Sequence, residues 1–252
     1  MPHADRPVIA EEAKSIRVVR ILPVEPTAAG WQMLRRFYAE IYTIAIADPN
    51  ERESLANMQA YIAQRASGRF GLNNYHVLLA VIDGAPVGGI VADYLAEPNA
   101  GVIELLAVAP AMRRQGLGAQ LHQAAIGLLK DDALRAHGRQ LDYVVAEIRN
   151  PGPNISSPGR AAMWAGWGYR LMNFHYIQPS LSPMSDPVHT LSLISKSMTA
   201  ASPETIDAKV VKVLLRNYMI WAMRIANPEN NAQYRGMCAE LDKHGSVGLL
   251  GL

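Results

Sequence analysis

Cysteine is almost absent from this sequence of 252 residues, and its single cysteine, Cys238, excludes a disulfide within the chain. No group of cysteines and histidines has the spacing of zinc ligands, so we assign no metal-binding residues. This composition fits a reducing compartment, and we expect the protein to be cytoplasmic.

Long hydrophobic runs and an excess of one charge are also missing. Asp83 and Asp93 interrupt the longest apolar region, and the acidic N-terminal residues do not fit a signal peptide. Lys and Arg number 24 against 22 Asp and Glu, which gives a net charge of +2. Nucleic-acid-binding modules usually carry a clear basic excess. The sequence therefore predicts neither a membrane nor a nucleic acid as partner.

What the sequence does contain is a succession of strand and helix patterns that predicts a mixed α/β fold. Residues 102–109 are apolar on both faces except for Glu104, as in a central strand covered on both sides. Asp83-Gly84 joins the two preceding strands as an antiparallel hairpin. We expect a tail at 1–16, a domain at 17–200 and an extension at 201–252. The strands are expected at 16–22, 75–82, 86–95, 102–109, 141–148, 169–177 and 189–195, and the helices at 30–48, 55–62, 116–134 and 161–167.

The extension is predicted to form a helical hairpin. Ser202-Pro203-Glu204 combines an N-cap with a proline in the first turn, and it opens a helix that reaches about residue 225. Asn227-Pro228-Glu229 repeats the signal before a second helix that ends near residue 242. The first helix is apolar over too wide a surface to face water. We expect it to pack on the core or on the second subunit of a homodimer.

The segment that carries chemistry is the basic glycine loop after the central strand, residues 108–119 (VAPAMRRQGLGA). Because Gly116 and Gly118 have no Cβ, the backbone can approach a ligand closely, and the N–H groups at a helix start favour a phosphate. A P-loop would need Gly-Lys-Ser/Thr, and a dinucleotide-binding loop would need a third glycine where Leu121 stands. The other interpretation is an ordinary glycine-rich turn that caps a helix.

This loop resembles the acyl-CoA loop of the GNAT (Gcn5-related N-acetyltransferase) superfamily, with Arg113, Gly116 and Gly118 in the defining positions. The preceding strand is similar as well, since the family often has a Leu-x-Val pair and a proline there, as at Leu106, Val108 and Pro110. A second similarity is the short helix that ends at Gly168-Tyr169. The order of elements from 16 to 195 also follows the family, which implies a mixed, mostly antiparallel sheet flanked by helices.

The resemblance implies acetyl-CoA as co-substrate and a set of residues that bind it. They lie along the central strand, in the loop, in the first turn of the helix and at the end of the next strand: Leu106, Ala107, Val108, Arg113, Arg114, Gln115, Gly116, Leu117, Gly118, Ala119 and Asn150. For Arg113 and Arg114 the alternative is a solvated basic pair. The resemblance also implies an oxyanion held by a backbone N–H near residues 107–109.

Two candidate catalytic residues follow from the resemblance. Glu104 corresponds to the acidic residue with which some members of the superfamily draw a proton from the amine. Its alternative is a salt-bridged structural glutamate. Many members place a general-acid tyrosine where this chain has Trp164, and an indole cannot supply a proton at neutral pH. Tyr169 is our candidate for that role, with Tyr176 or water as alternatives, although a buried tyrosine is more often a core residue.

The function implied is transfer of an acetyl group from acetyl-CoA to a primary amine of a small molecule by direct attack. A protein lysine acetyltransferase is the second possibility, and it would require an open, shallow groove where a small-molecule enzyme has a closed pocket. The third is a non-catalytic acyl-CoA-binding regulatory module, which Trp164 and the extension motivate.

Overall fold

The computed structural model describes residues 18–149, 158–181, 185–199 and 203–252. In these residues nine strands form one sheet with the order β1-β2-β3-β4-β5-β7-β6-β9-β8. The strands are β1 (Arg20–Pro23), β2 (Asn74–Ile82), β3 (Ala85–Leu95), β4 (Ala100–Val108), β5 (Tyr143–Arg149), β6 (Arg170–Met172), β7 (Leu191–Ser197), β8 (Thr205–Asp207) and β9 (Ser246–Leu250). The predicted mixed, mostly antiparallel sheet is thereby confirmed.

Helices cover both faces of this sheet. On one face, α4 (Leu117–His137) and α5 (Pro158–Gly166) pack on the central strands through Leu121, Leu129 and Trp164. On the other face, α1 (Ala28–Phe37), the short α2 (Thr43–Ala45) and α3 (Leu55–Ala66) cover β2 and β3. Neighbouring strand residues alternate between these two cores, as the pleat requires. No helix of the described residues is both long and apolar enough to cross a membrane.

Strands β4 and β5 are parallel neighbours that separate part-way along their length. They pair from Ala100 with Tyr143 to Ile103 with Ala146. Beyond these residues β4 stays paired with β3, and β5 stays paired with β7 as far as Arg149. The sheet therefore has an opening between β4 and β5, and Glu104 and Glu147 are the first residues past the last pair.

The C-terminal unit, residues 203–252, contains more than the predicted pair of helices. Its helices are α6 (Ala208–Trp221) and α7 (Ala232–His244), and strands β8 and β9 extend the sheet, with Leu171 of β6 opposite Leu250. Ser202 itself lies outside the described residues, but the predicted helix start there is wrong, because Thr205–Asp207 form β8 and α6 begins only at Ala208. Asp207 caps α6, since its carboxylate accepts the N–H of Lys209.

The apolar face of α6 packs within this chain. Val211, Leu214, Leu215 and Met219 are buried against Val102 and neighbouring strand residues. The choice left open by the sequence, between the chain's own core and a second subunit, is thus settled for this face. The two short strands of the unit were not predictable, because three to five residues carry too little pattern to separate a strand from a loop.

Candidate active site

The glycine loop joins the end of β4 to α4, and its backbone includes left-handed conformations that few residue types adopt readily. Gly116 is the N-cap of α4 with φ of 77°, a left-handed conformation that favours glycine. Arg114 also has a positive φ, of 62°. A Cβ on Gly118 would lie 3.9 Å from Cη2 of Trp167 and 4.0 Å from Cδ2 of Leu106, so the backbone is open between these two side chains. The first turn of a 21-residue helix therefore starts in a backbone cradle that fits a phosphate.

The remaining loop residues surround this cradle. Arg113, Arg114, Gln115 and Ala119 are exposed, and Leu117 is buried beneath the loop. The Nε of Arg113 donates a hydrogen bond of 3.1 Å to the carbonyl of Val108, and Nε2 of Gln115 donates one of 3.2 Å to the carbonyl of Ala111. Arg113 thus braces the loop against the end of β4 while it adds positive charge there.

The free edge of β4 connects this cradle to the opening. Leu106 and Val108 face α4, and Ala107 faces the opposite core. Because β5 has already separated, the edge of β4 from Glu104 to Val108 is not paired with it. The N–H of Ala109 donates to the carbonyl of Val87 at 2.9 Å, so it is not available for an oxyanion. Asn150, the last predicted ligand of acetyl-CoA, lies outside the described residues.

A cavity of about 470 Å³, including its mouth, lies at the opening on the face away from α4. Four carboxylates line it, from Glu51, Glu53, Glu104 and Glu147. The C-terminal unit contributes a wall, and the loop between β6 and β7 contributes another. The other lining residues are Tyr42, Met58, Val91, Leu105, Gln178, Leu181, Tyr218, Ala222 and Met223.

A β-bulge directs Glu104 into this cavity. Ile103 pairs with Ala92 and Leu105 pairs with Val91, so Glu104 is the extra residue on β4. Its pKa is raised well above the ordinary value, because the group is buried and the Asp93 and Glu147 carboxyls lie near it, with Arg224 acting in the opposite direction. The two interpretations of Glu104 were a proton acceptor and a salt-bridged structural glutamate. Its position facing the cavity favours the first.

Glu147 occupies the equivalent position on β5. The hydroxyl of Tyr176 donates a hydrogen bond to its Oε1, and Tyr218 of α6 donates another. Burial raises the pKa of Glu147 to about 7, although both phenols favour the ionised form. Glu104 and Glu147 therefore face one cavity as two carboxyls that titrate far above their ordinary range.

Two further acidic residues complete the surroundings of the cavity. Glu53 accepts a hydrogen bond of 2.9 Å from the hydroxyl of Tyr75, and burial raises its pKa well above the ordinary value. Glu51 forms a 2.8 Å ion pair with Arg149. Sequence reasoning missed Glu51 and Glu53, because their loop has no pattern that relates it to β4.

Tyr169 lies on the opposite side of the sheet from Glu104. It is 2% exposed, and its hydroxyl is 3.0 Å from Nε2 of His122 on α4. Trp164 and Trp167 pack edge-on to one another beside it. Burial lowers the pKa of His122 to about 4, so the imidazole is neutral near pH 7. The structure thus places Tyr169 in an aromatic cluster below the glycine loop and does not bring it together with Glu104.

The fold and the site define a class of protein. A phosphate cradle at a helix start, a strand edge that leads from it and an acidic cavity at the far end of the opening suit a long anionic acyl carrier and a separate amine. This is the arrangement of an acyl-CoA-dependent acyltransferase. Among the described residues no group of three or more His, Cys, Asp or Glu side chains is arranged so that it could hold a metal ion.

Sequence comparison identifies the family within this class. Residues 31–145 match the sequence profile of the Acetyltransferase (GNAT) family. Residues 31–145, slightly less than half of the chain, therefore correspond to a GNAT acetyltransferase domain. The match ends within β5, so the C-terminal unit lies outside it. No protein with a curated function matches the chain.

Solved structures share this fold at low sequence identity. A protein described as an acetyltransferase of the GNAT family from Bacteroides thetaiotaomicron is 16% identical, with 82% of this chain and 99% of that chain covered and a TM-score of 0.56. An acetyltransferase of the GNAT family from Staphylococcus aureus Mu50 is 13% identical, with 72% and 100% covered and a TM-score of 0.50. These similarities concern the fold alone.

Proposed function

We propose that this protein transfers the acetyl group of acetyl-CoA to a primary amine of a small, positively charged molecule. The observation that carries the proposal is the walled, carboxylate-lined cavity at the opening between β4 and β5. Glu51 is already paired with Arg149, but a bound ammonium group would stabilise the ionised forms of the other three carboxyls, and an acidic acceptor would not. Walls from α6 and from the β6–β7 loop suit a small acceptor better than the flexible side chain of a protein surface.

The residues of the cavity supply what the amine needs before it reacts. A free primary amine has a pKa near ~10.4, so it arrives mostly protonated and must lose a proton. Glu104 accepts that proton when it is ionised, and its raised pKa makes it a better base than an ordinary glutamate. Glu147 and Glu53 hold the remaining positive charge of the acceptor in place.

Acetyl-CoA supplies the thioester carbon that the amine nitrogen attacks. The cradle at Gly116 and Gly118 holds its pyrophosphate, and the edge of β4 at Leu106 and Val108 guides the chain to the opening. The N–C bond forms, the C–S bond breaks, and the thiolate takes up a proton. Since Tyr169 lies in the aromatic cluster and Trp164 cannot supply that proton, water is the donor we favour.

The test is a panel of acceptors offered with acetyl-CoA, followed by mass spectrometry of the products. Diamines and other small cationic amines should be acetylated, with neutral amines slower and amino acids with free carboxylates slowest. Acetylation of lysine peptides in preference to every small amine would contradict the proposal. Binding of acetyl-CoA without any acetylated product would favour the non-catalytic module that Trp164 motivates.

A further inference from the structure

Asp93 and Glu104 form a carboxyl pair beside the carboxylate-lined cavity, whose lining includes Glu104. Asp93 is 0% exposed, and it lies on β3 next to the bulge that turns Glu104 to the same face. Among the described residues Oδ2 of Asp93 is buried and accepts a hydrogen bond from no N–H group or hydroxyl. The carboxyl of Glu104 is the group that shares a hydrogen bond with Asp93. Two carboxyls that share a hydrogen bond away from water hold one proton between them.

A residue of the C-terminal unit contacts this pair. Nε1 of Trp221 donates a hydrogen bond of 3.0 Å to Oδ1 of Asp93. The indole is itself fixed, because it packs edge-on to Tyr61 and Phe70, and the hydroxyl of Tyr61 donates to the carbonyl of Trp221. Trp221 is the last residue of α6 and lies outside the segment that matches the family profile.

We propose that Trp221 is a positioning residue whose indole N–H decides which carboxyl of the Asp93–Glu104 pair holds the shared proton. A hydrogen bond from the indole stabilises the ionised form of Asp93, so the proton stays on Glu104. Glu104 must release it before it can accept one from an amine. The C-terminal unit thereby sets the pH at which the base becomes available.

Other charged groups also lie near the pair. Glu53 faces Asp93 from the loop before α3, Glu147 faces Glu104 from β5, and Arg224 lies near both carboxyls from the segment after α6. Arg224 is held over the ring of Tyr61, with Cζ 3.6 Å from the ring centre. Substitution of the indole leaves these charges in place, so its effect reports the hydrogen bond.

The first test uses the free protein and needs no acceptor. Carboxyl ¹³C NMR of protein labelled at Asp and Glu side chains follows the titration of both groups, with assignments from Glu104→Gln and Asp93→Asn. In Trp221→Phe the midpoint of Glu104 should fall by about one pH unit, since a hydrogen bond to a charged group is lost. Trp31→Phe, which alters a tryptophan packed on the same core, should leave both midpoints unchanged.

A folded Trp221→Phe protein with unchanged midpoints would overturn the proposal. If that variant does not fold, Asp93→Asn provides the second measurement, because loss of the partner should also lower the midpoint of Glu104. An unmoved midpoint there would show that no proton is shared.

The second test rests on the proposed function and uses an amine that the panel identifies. In Trp221→Phe the acid limb of kcat/KM should move to lower pH with the Glu104 midpoint. A uniform loss at every pH, with the limb in place, would show a packing role only and would contradict the proposal. If no amine is acetylated, the NMR result still decides the role of Trp221, and only the proposed function fails.

Discussion

Replacement of Gly118 by tryptophan tests whether the cradle before α4 binds the pyrophosphate of acetyl-CoA. The Cβ itself meets Trp167 and Leu106 at 3.9 and 4.0 Å, which is ordinary contact, so the change does not strain the backbone. The indole beyond it would fill the space between these two walls. Each hydrogen bond to a charged phosphate contributes about 1.5–3 kcal/mol, so displacement of one weakens binding roughly 10- to 150-fold.

Isothermal titration calorimetry with CoA measures this loss directly. Gly127→Trp is the matched control, since Gly127 lies in the same helix, is exposed and has open space where its Cβ would stand. It should leave the Kd of CoA unchanged. Gly118→Ala should also bind CoA, because its Cβ fits the space observed. A folded Gly118→Trp protein that binds CoA as tightly as the parent would refute the assignment of the cradle.

Three further predictions concern the cavity and the unit that walls it. Glu104→Gln should lower kcat/KM most above the raised pKa of Glu104, where the parent carboxylate is ionised, and less at lower pH; parallel pH profiles would remove Glu104 from proton transfer. Glu147→Gln should reduce the fall in Tm between pH 5 and pH 8, measured by circular dichroism. The reason is that a carboxyl with a pKa of about 7 in the folded protein lowers its stability as the pH rises above the ordinary range of glutamate. An equal fall in Tm in both proteins would contradict this. Truncation after Met198 should expose the core surface under α6 and cause aggregation, and a soluble product with the parent Tm, measured by light scattering and calorimetry, would show that the unit is dispensable.

The glycine loop and the central strand could be predicted from sequence because their signals are local. A basic loop with two glycines, directly after an apolar strand and before an amphipathic helix, needs no knowledge of the rest of the chain. Glu104 was recognisable for the same reason, as the one charge in a buried strand. The bulge that turns it into the cavity was not, because a register shift depends on the partner strand β3.

The acceptor cavity could not be predicted, since its residues are far apart in the chain. Glu53, Glu104 and Tyr218 line it from a loop, a strand and a helix that only the fold brings together, and Asp93 and Trp221 meet beside it for the same reason. Asp93 did carry one signal, as a charge that interrupts an apolar strand, but from the sequence alone that charge only excludes a membrane span. Tyr169 could be singled out from its place in a motif. The face of the sheet on which it lies could not be predicted, because that depends on packing against His122.

The buried carboxyls of the cavity lower the stability of the folded protein. For Glu147 the folded pKa of about 7 lies above the ordinary value of 4.5, so the native state binds the proton more tightly than the unfolded chain does. The contribution of Glu147 to the free energy of unfolding is therefore greatest below pH 4.5. As the pH rises to 7 this contribution falls by on the order of 3 kcal/mol, before solvent screening is taken into account. Glu53 and Glu104 are shifted in the same direction by burial. A cation bound in the cavity would favour the ionised forms of these carboxyls. The same carboxyls that lower the stability of the free protein at neutral pH thus support the proposal that its acceptor is a positively charged amine.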